Sequence, residues 1–115
     1  MDLVNDGNDE AISKRSENEW SIWLDFNRET ISSLVPEDSG LFKIHASMKV
    51  LYIGIALNLK TTLLESTTDP CIGKGQRFSY MVNDGPLDGL KTEMLKDYRL
   101  RHNGKLPTCM ESAMQ

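Results

Sequence analysis

The chain has 115 residues, of which 39% are apolar and 26% are charged, a composition typical of one soluble globular domain and not of a disordered chain. No apolar run approaches the roughly 18 residues that a membrane-spanning helix needs, and the amino terminus lacks the pattern of a secretion signal. The net charge of -4 is unevenly divided, because residues 1–39 hold ten acids and three bases whereas residues 40–115 hold seven acids and ten bases. We therefore expect a cytoplasmic protein with no membrane segment and a mildly basic main domain.

The first 39 residues combine an acidic tail with one predicted helix. Residues 1–15 are polar without an apolar period, so we expect a loose tail. Ser16 and Glu19 fit a capping box, and apolar residues recur at helical spacing until Pro36, which predicts a helix over 16–35. Within it, Trp20 and Trp23 are expected to anchor the helix to the core. The alternatives are that one of them stacks on a base, or that this helix faces a protein partner.

The rest of the chain alternates between β-rich stretches and amphipathic helices. In chain order we predict strands over 40–46 and 50–56, a helix over 58–69, a strand over 78–82 and a helix over 87–102. The resulting order of elements predicts a compact α+β domain over 16–115, in which a small three-stranded antiparallel sheet is flanked by helices.

The two cysteines, Cys71 and Cys109, do not have the spacing of a metal-binding pair. We expect both to be reduced thiols that pack as small hydrophobic groups. A zinc site that adds His45 and His102 is the alternative on ligand type, although no local pair supports it.

The hairpin carries a family resemblance. The sequences Gly40-Leu41-Phe42 and Tyr52-Ile53-Gly54, followed by Asn58-Leu59 at a helix start, resemble the opening of the GIY-YIG nuclease family, and the resemblance extends over about residues 40–107. It implies metal-assisted phosphodiester cleavage with Mg²⁺ or Mn²⁺. In such nucleases a glutamate holds the cation, an arginine steadies phosphate and two tyrosines orient or deprotonate the attacking water.

The implied catalytic set is incomplete in this chain. Tyr52 matches the second tyrosine, whereas Phe42 stands at the first and has no hydroxyl. Thr62 falls at the arginine position and carries no charge. Arg77, at the start of the third predicted strand, and His45, as a base with a pKa near neutrality, are candidate replacements.

The metal-binding position of the family is matched least closely. Glu93 on the last predicted helix is the best match for the glutamate that holds the cation. The family commonly ends this region with an asparagine after a proline, but here Pro107 is followed by Thr108. An exposed helix carboxylate is the alternative interpretation of Glu93.

Basic residues cluster near the end of the last predicted helix. They are Lys91, Lys96, Arg99, Arg101, His102 and Lys105. Such a cluster can contact phosphate, or it can simply complement the helix dipole. The combined expectation is a catalytically degenerate GIY-YIG-like module that binds DNA or another nucleic acid. The alternatives are an active metal-dependent endonuclease with a rearranged site, or a protein-interaction module.

Overall fold

The computed structural model describes residues 19–113, with side chains as far as Glu111. The predicted tail over 1–15 and the predicted helix start at Ser16 lie outside these residues. The elements, in chain order, are β1 (Leu24–Asp25), α1 (Arg28–Leu34), β2 (Gly40–Ala46), β3 (Lys49–Ala56), α2 (Leu59–Ser66), a 3-10 turn (Ile72–Lys74), β4 (Arg77–Val82), α3 (Leu87–Arg101) and α4 (Thr108–Ala113). The predicted α+β class is confirmed.

The sheet is antiparallel and has the strand order β1-β4-β2-β3. Strands β2 and β3 form the predicted hairpin, in which Phe42 lies opposite Gly54. Ser47 and Met48 connect them with positive φ angles of 51° and 67°. This two-residue left-handed turn matches the right-handed twist of the flanking strands. The hairpin therefore places the two sequence triplets side by side.

The main core lies on one face of this sheet, beneath α1 and α2, and a smaller buried group that includes Leu41 and Ile53 lies on the other face. Phe42 and Phe78 are among the largest fully buried side chains of the main core, and Ile31 from α1 and Leu63 from α2 cover them. Burying one such side chain contributes about 1.5–3 kcal/mol. Asn58 begins α2 as predicted, because its side-chain oxygen accepts a hydrogen bond from Thr61 N at 3.0 Å.

The prediction of one helix over 16–35 is wrong in its extent. Within the described residues, the helix begins only at Arg28, where the Asn27 side chain accepts from Thr30 N at 2.8 Å. The preceding segment is extended, since Ser21 N donates to Tyr80 O at 2.8 Å and β1 pairs with β4. The edge of β4 offers backbone partners that a helix would leave unsatisfied. The sheet therefore has four strands, not the predicted three.

The predicted reduced thiols are also wrong, because Cys71 and Cys109 form a disulfide with their Cα atoms 5.8 Å apart. Helix α4, which the sequence did not predict, packs against β3 and carries Cys109 back to the turn that follows α2. A contact across 38 positions depends on this tertiary packing and leaves no local signal. With both sulfurs bonded, the alternative zinc site is excluded, and the cytoplasmic location stays a prediction.

Candidate nucleic-acid interface

The two aromatic rings of the hairpin triplets pack together over Gly54. The ring centroids of Phe42 and Tyr52 lie 5.8 Å apart, with 30° between the ring planes. A Cβ atom at Gly54 would come within 2.5 Å of the Tyr52 ring and 2.8 Å of the Phe42 ring. Gly40 meets a similar constraint, because a Cβ there would collide with the Met81 carbonyl oxygen of β4. Both glycines are needed for close approach, whatever the chemistry of the site.

The two rings differ in their access to solvent. Phe42 is 1% exposed and belongs to the core, whereas Tyr52 is half-buried and lines a groove on the molecular surface. The position that the family resemblance assigns to a first catalytic tyrosine is thus closed to solvent and has no hydroxyl. Of this pair, only the Tyr52 side chain can contact a ligand.

The groove beside Tyr52 has a volume of about 970 Å³ and lies between β3, α3 and α4. Its lining combines aliphatic side chains with three cations: Leu95, Leu100, Leu106 and Met110, together with Lys91, Lys96 and Arg99. The α3 members recur every three or four positions, so they share one face of the helix. An apolar floor bordered by cations fits a ligand that has both flat apolar groups and negative charge.

The groove cations differ in their existing partners. Arg99 Nε donates to the Gly104 carbonyl oxygen at 3.2 Å, which fixes this guanidinium at the end of α3. Lys91 and Lys96 make no ion pair within residues 19–113, where the salt bridges join other residues. Their ammonium groups therefore remain available to an anionic ligand.

The remaining predicted cations lie on a neighbouring surface. Arg101 and Lys105 line a second depression of about 530 Å³ with Lys49, and Arg101 Nε is paired with Asp97 Oδ2 at 3.3 Å. The same depression includes Tyr98, whose pKa is raised by burial and by the nearby Glu111 carboxylate. The structure thus divides the five predicted binding residues into a set of three beside Tyr52 and a set of two.

The other predicted catalytic residues do not join Tyr52. Arg77 Nε pairs with Asp25 Oδ1 at 3.2 Å, and Arg77 is the cross-strand neighbour of His45. Thr62 is half-buried within α2. The described residues that line the groove do not include Arg77, His45, Thr62 or Glu93. The sequence could not reveal this separation, because it depends on which strand end and which helix face each residue occupies.

The described residues form no all-protein cage for the divalent cation that the resemblance implies. Glu93 is exposed on α3 and lies outside the lining of the groove. Within residues 19–113, no three side chains of His, Cys, Asp or Glu lie close enough together to hold a metal ion. Mg²⁺ is usually held by one or two carboxylates together with waters and substrate phosphates, and not by a cage of protein ligands. Glu93 would supply one protein ligand of this kind, and the other coordination positions would be filled by water or by the phosphates of a bound ligand.

Comparison with known proteins gives two similar solved structures. Both are point mutants of the GIY-YIG N-terminal endonuclease domain of UvrC from Thermotoga maritima, each with a tyrosine replaced by phenylalanine and each bound to its catalytic divalent cation. Their sequences are 28% and 26% identical to this chain, and each has a TM-score of 0.49. Each comparison covers 62% of this chain and 91% of the UvrC domain.

The order of the elements agrees with the GIY-YIG resemblance of the sequence. The antiparallel hairpin, the helix that begins at Leu59, the returning strand β4 and the long helix α3 follow the order that the resemblance implies. No protein-family model matches the chain, and no curated protein is similar to it in sequence. In the part of the chain that the structure describes, no helix has the length and hydropathy of a membrane span.

Proposed function

We propose that this chain is a GIY-YIG-like nucleic-acid-binding module that does not cleave its ligand. The observation that carries the proposal is the groove in which Lys91, Lys96 and Arg99 lie beside Tyr52 and an apolar floor. Cations that follow a phosphate backbone supply most of the sequence-independent affinity for nucleic acid. The tyrosine and the aliphatic floor offer contacts to sugars and bases. This combination favours a polyanion with apolar faces over a simple anion.

The loss of catalysis is proposed from the side chains at the positions that match the family. Phe42 is buried and has no hydroxyl, and Thr62 carries no charge. Loss of a general base lowers a rate by about 10² to 10⁴, and loss of one preorganised charge stabiliser lowers it by about 10² to 10³. Arg77 and His45 are candidate replacements by residue type, but neither side chain lines the groove. A binding role needs none of these groups.

The binding experiment is a titration of dye-labelled duplex DNA, followed by fluorescence anisotropy at several salt concentrations. The test variant replaces the three groove cations by glutamine. A matched control replaces three cations that line neither the groove nor the second depression, namely Arg28, Lys60 and Lys74. Each phosphate contact contributes about 0.9 to the slope of log affinity against log salt, so the test variant should lose about 2.7 and the control nothing. Equal losses in the two variants would contradict the proposed groove.

A nicking assay on supercoiled plasmid with Mg²⁺ or Mn²⁺ separates binding from cleavage. We expect no nicking above the level of a buffer control. Metal-dependent nicking that disappears in Glu93→Ala would instead establish the alternative, an active endonuclease with a rearranged site. DNA affinity that does not change with salt would argue against phosphate contacts and favour the protein-interaction alternative.

A further inference from the structure

A second cluster of aromatic and cationic side chains lies on the opposite face of the sheet. Along β2, Lys43 and His45 alternate with Phe42 and Ile44, so they project away from the main core. Lys43 Nζ lies 4.0 Å from the ring centroid of Trp20. The two residues of β2 therefore meet the extended segment that precedes β1.

Trp23 completes this cluster. Its ring centroid is 5.5 Å from Lys43 Nζ and 4.9 Å from the centroid of the His45 ring. Despite these contacts, Trp23 is 43% exposed and its neighbour Ile22 is 66% exposed. Since a tryptophan buries up to roughly 250 Å² when fully packed, about 100 Å² of Trp23 remains open to solvent. The ring is thus held in place and still accessible.

The charge of Lys43 is not neutralised by a carboxylate in the part of the chain that the structure describes, where the ion pairs join other residues. Instead, the faces of two indole rings stabilise the ammonium. Lys43 is only half-buried, so its N–H groups can still reach an anion beside the ring. Near it, Arg77 on β4 is the register neighbour of His45, but its guanidinium is paired with Asp25. The positive charge that accompanies the accessible ring is therefore that of Lys43.

We propose that Trp23, His45 and Lys43 form a second nucleic-acid contact, which stacks one unpaired base on Trp23 and places its phosphate against Lys43. Every base has a flat aromatic face and every nucleotide carries one negative charge, so the ligand matches both properties of the cluster. In a duplex the bases are already stacked inside the helix, and Trp23 cannot reach their faces. The ligand class is therefore single-stranded DNA or RNA.

A protein partner fits this surface less well. A stable protein interface buries about 800 Å² on each partner, and its centre is depleted in charge. Here the exposed ring of Trp23 adjoins the ammonium of Lys43. The site is also separate from the groove beside Tyr52, so its behaviour does not depend on the function proposed for that groove.

The test uses the intrinsic fluorescence of the full chain, because its two tryptophans both lie in this cluster. Single-stranded oligothymidylate should quench the fluorescence to saturation, and a duplex of equal length should quench it far less. Trp23→Leu should raise the dissociation constant for the single strand about tenfold, whereas Trp23→Phe retains a ring and should preserve most of the affinity. Lys43→Met should reduce the salt slope by about 0.7.

Two controls distinguish this site from the rest of the molecule. Leu57→Ala removes another exposed apolar side chain, one that is 88% exposed, and should leave the affinity unchanged. Lys60→Gln removes a cation of α2 that lines neither the groove nor the second depression, and it should leave the quenching unchanged. Circular dichroism and anisotropy of each variant separate misfolding from lost binding. Absence of quenching by the single strand, equal quenching by the duplex, or equal affinity of Trp23→Leu and Trp23→Phe would overturn the proposal.

Discussion

The disulfide between Cys71 and Cys109 should supply a large share of the stability of this small domain. The bond closes a loop across 38 positions. For a loop of that length, the chain-entropy relation gives a stabilisation of about 4 kcal/mol at 25 °C. Small domains are stable by only about 5–15 kcal/mol, so loss of the bond should leave a marginal fold.

The perturbation is best made in two independent ways. One is reduction of the unmodified chain, and the other is the double variant Cys71→Ser with Cys109→Ala. Alanine is chosen at Cys109 because that side chain is 5% exposed, and a buried hydroxyl without a partner would add its own penalty. With a urea m-value of about 2 kcal/mol/M, the unfolding midpoint should fall by roughly 2 M. The double variant should show the same midpoint with and without reductant.

At low denaturant, reduction of the disulfide should loosen mainly the region around α4. Helix α4 bears Cys109 and packs on β3, so its amides should exchange faster after reduction, whereas those of β2 and β4 should be little changed. A thiol titration of the unreduced, unfolded chain should find no free thiol. Two reactive thiols in that titration, or equal urea midpoints with and without reductant, would refute the assignment of the disulfide.

Two further predictions concern single side chains. Gly54→Ala should destabilise the fold by about 1–3 kcal/mol, because the added Cβ would meet the Tyr52 and Phe42 rings. Gly89→Ala should instead stabilise α3 by about 0.5–1 kcal/mol, because a Cβ added there meets no atom within 4 Å. Thermal denaturation checks this pair, and similar melting temperatures would contradict it. Burial lowers the pKa of Lys43 below 10.5, so the unfolded chain binds more protons between that lowered pKa and 10.5. The free energy of unfolding should therefore rise with pH across this window. Urea denaturation at several pH values should show this rise in the unmodified chain and not in Lys43→Met. The same pH dependence in both proteins would contradict the prediction.

Local patterns in the sequence were sufficient for much of the fold. The alternation of apolar residues and the hairpin spacing predicted β2 and β3, and Asn58 correctly marked the start of α2. These signals are carried by neighbouring residues, so they survive without knowledge of the tertiary structure. The two glycine triplets were also informative, because Gly40 and Gly54 are required by close packing within the hairpin itself.

Other features depended on partners distant in sequence. The periodicity around Trp20 and Trp23 favoured a helix, but two hydrogen bonds between Ser21 and Tyr80 hold the segment extended against β4. The disulfide likewise depends on where α4 packs.

The candidate site shows the same division between local and tertiary information. From the sequence, Tyr52 and the basic residues of α3 could be identified as candidates, and the missing hydroxyl at Phe42 could be read directly. Only the tertiary structure decided that Lys91, Lys96 and Arg99 share a groove with Tyr52, while Glu93 and Arg77 lie elsewhere. Residue type is local information, whereas convergence depends on helix rotation and strand order, which the packing of the whole domain determines.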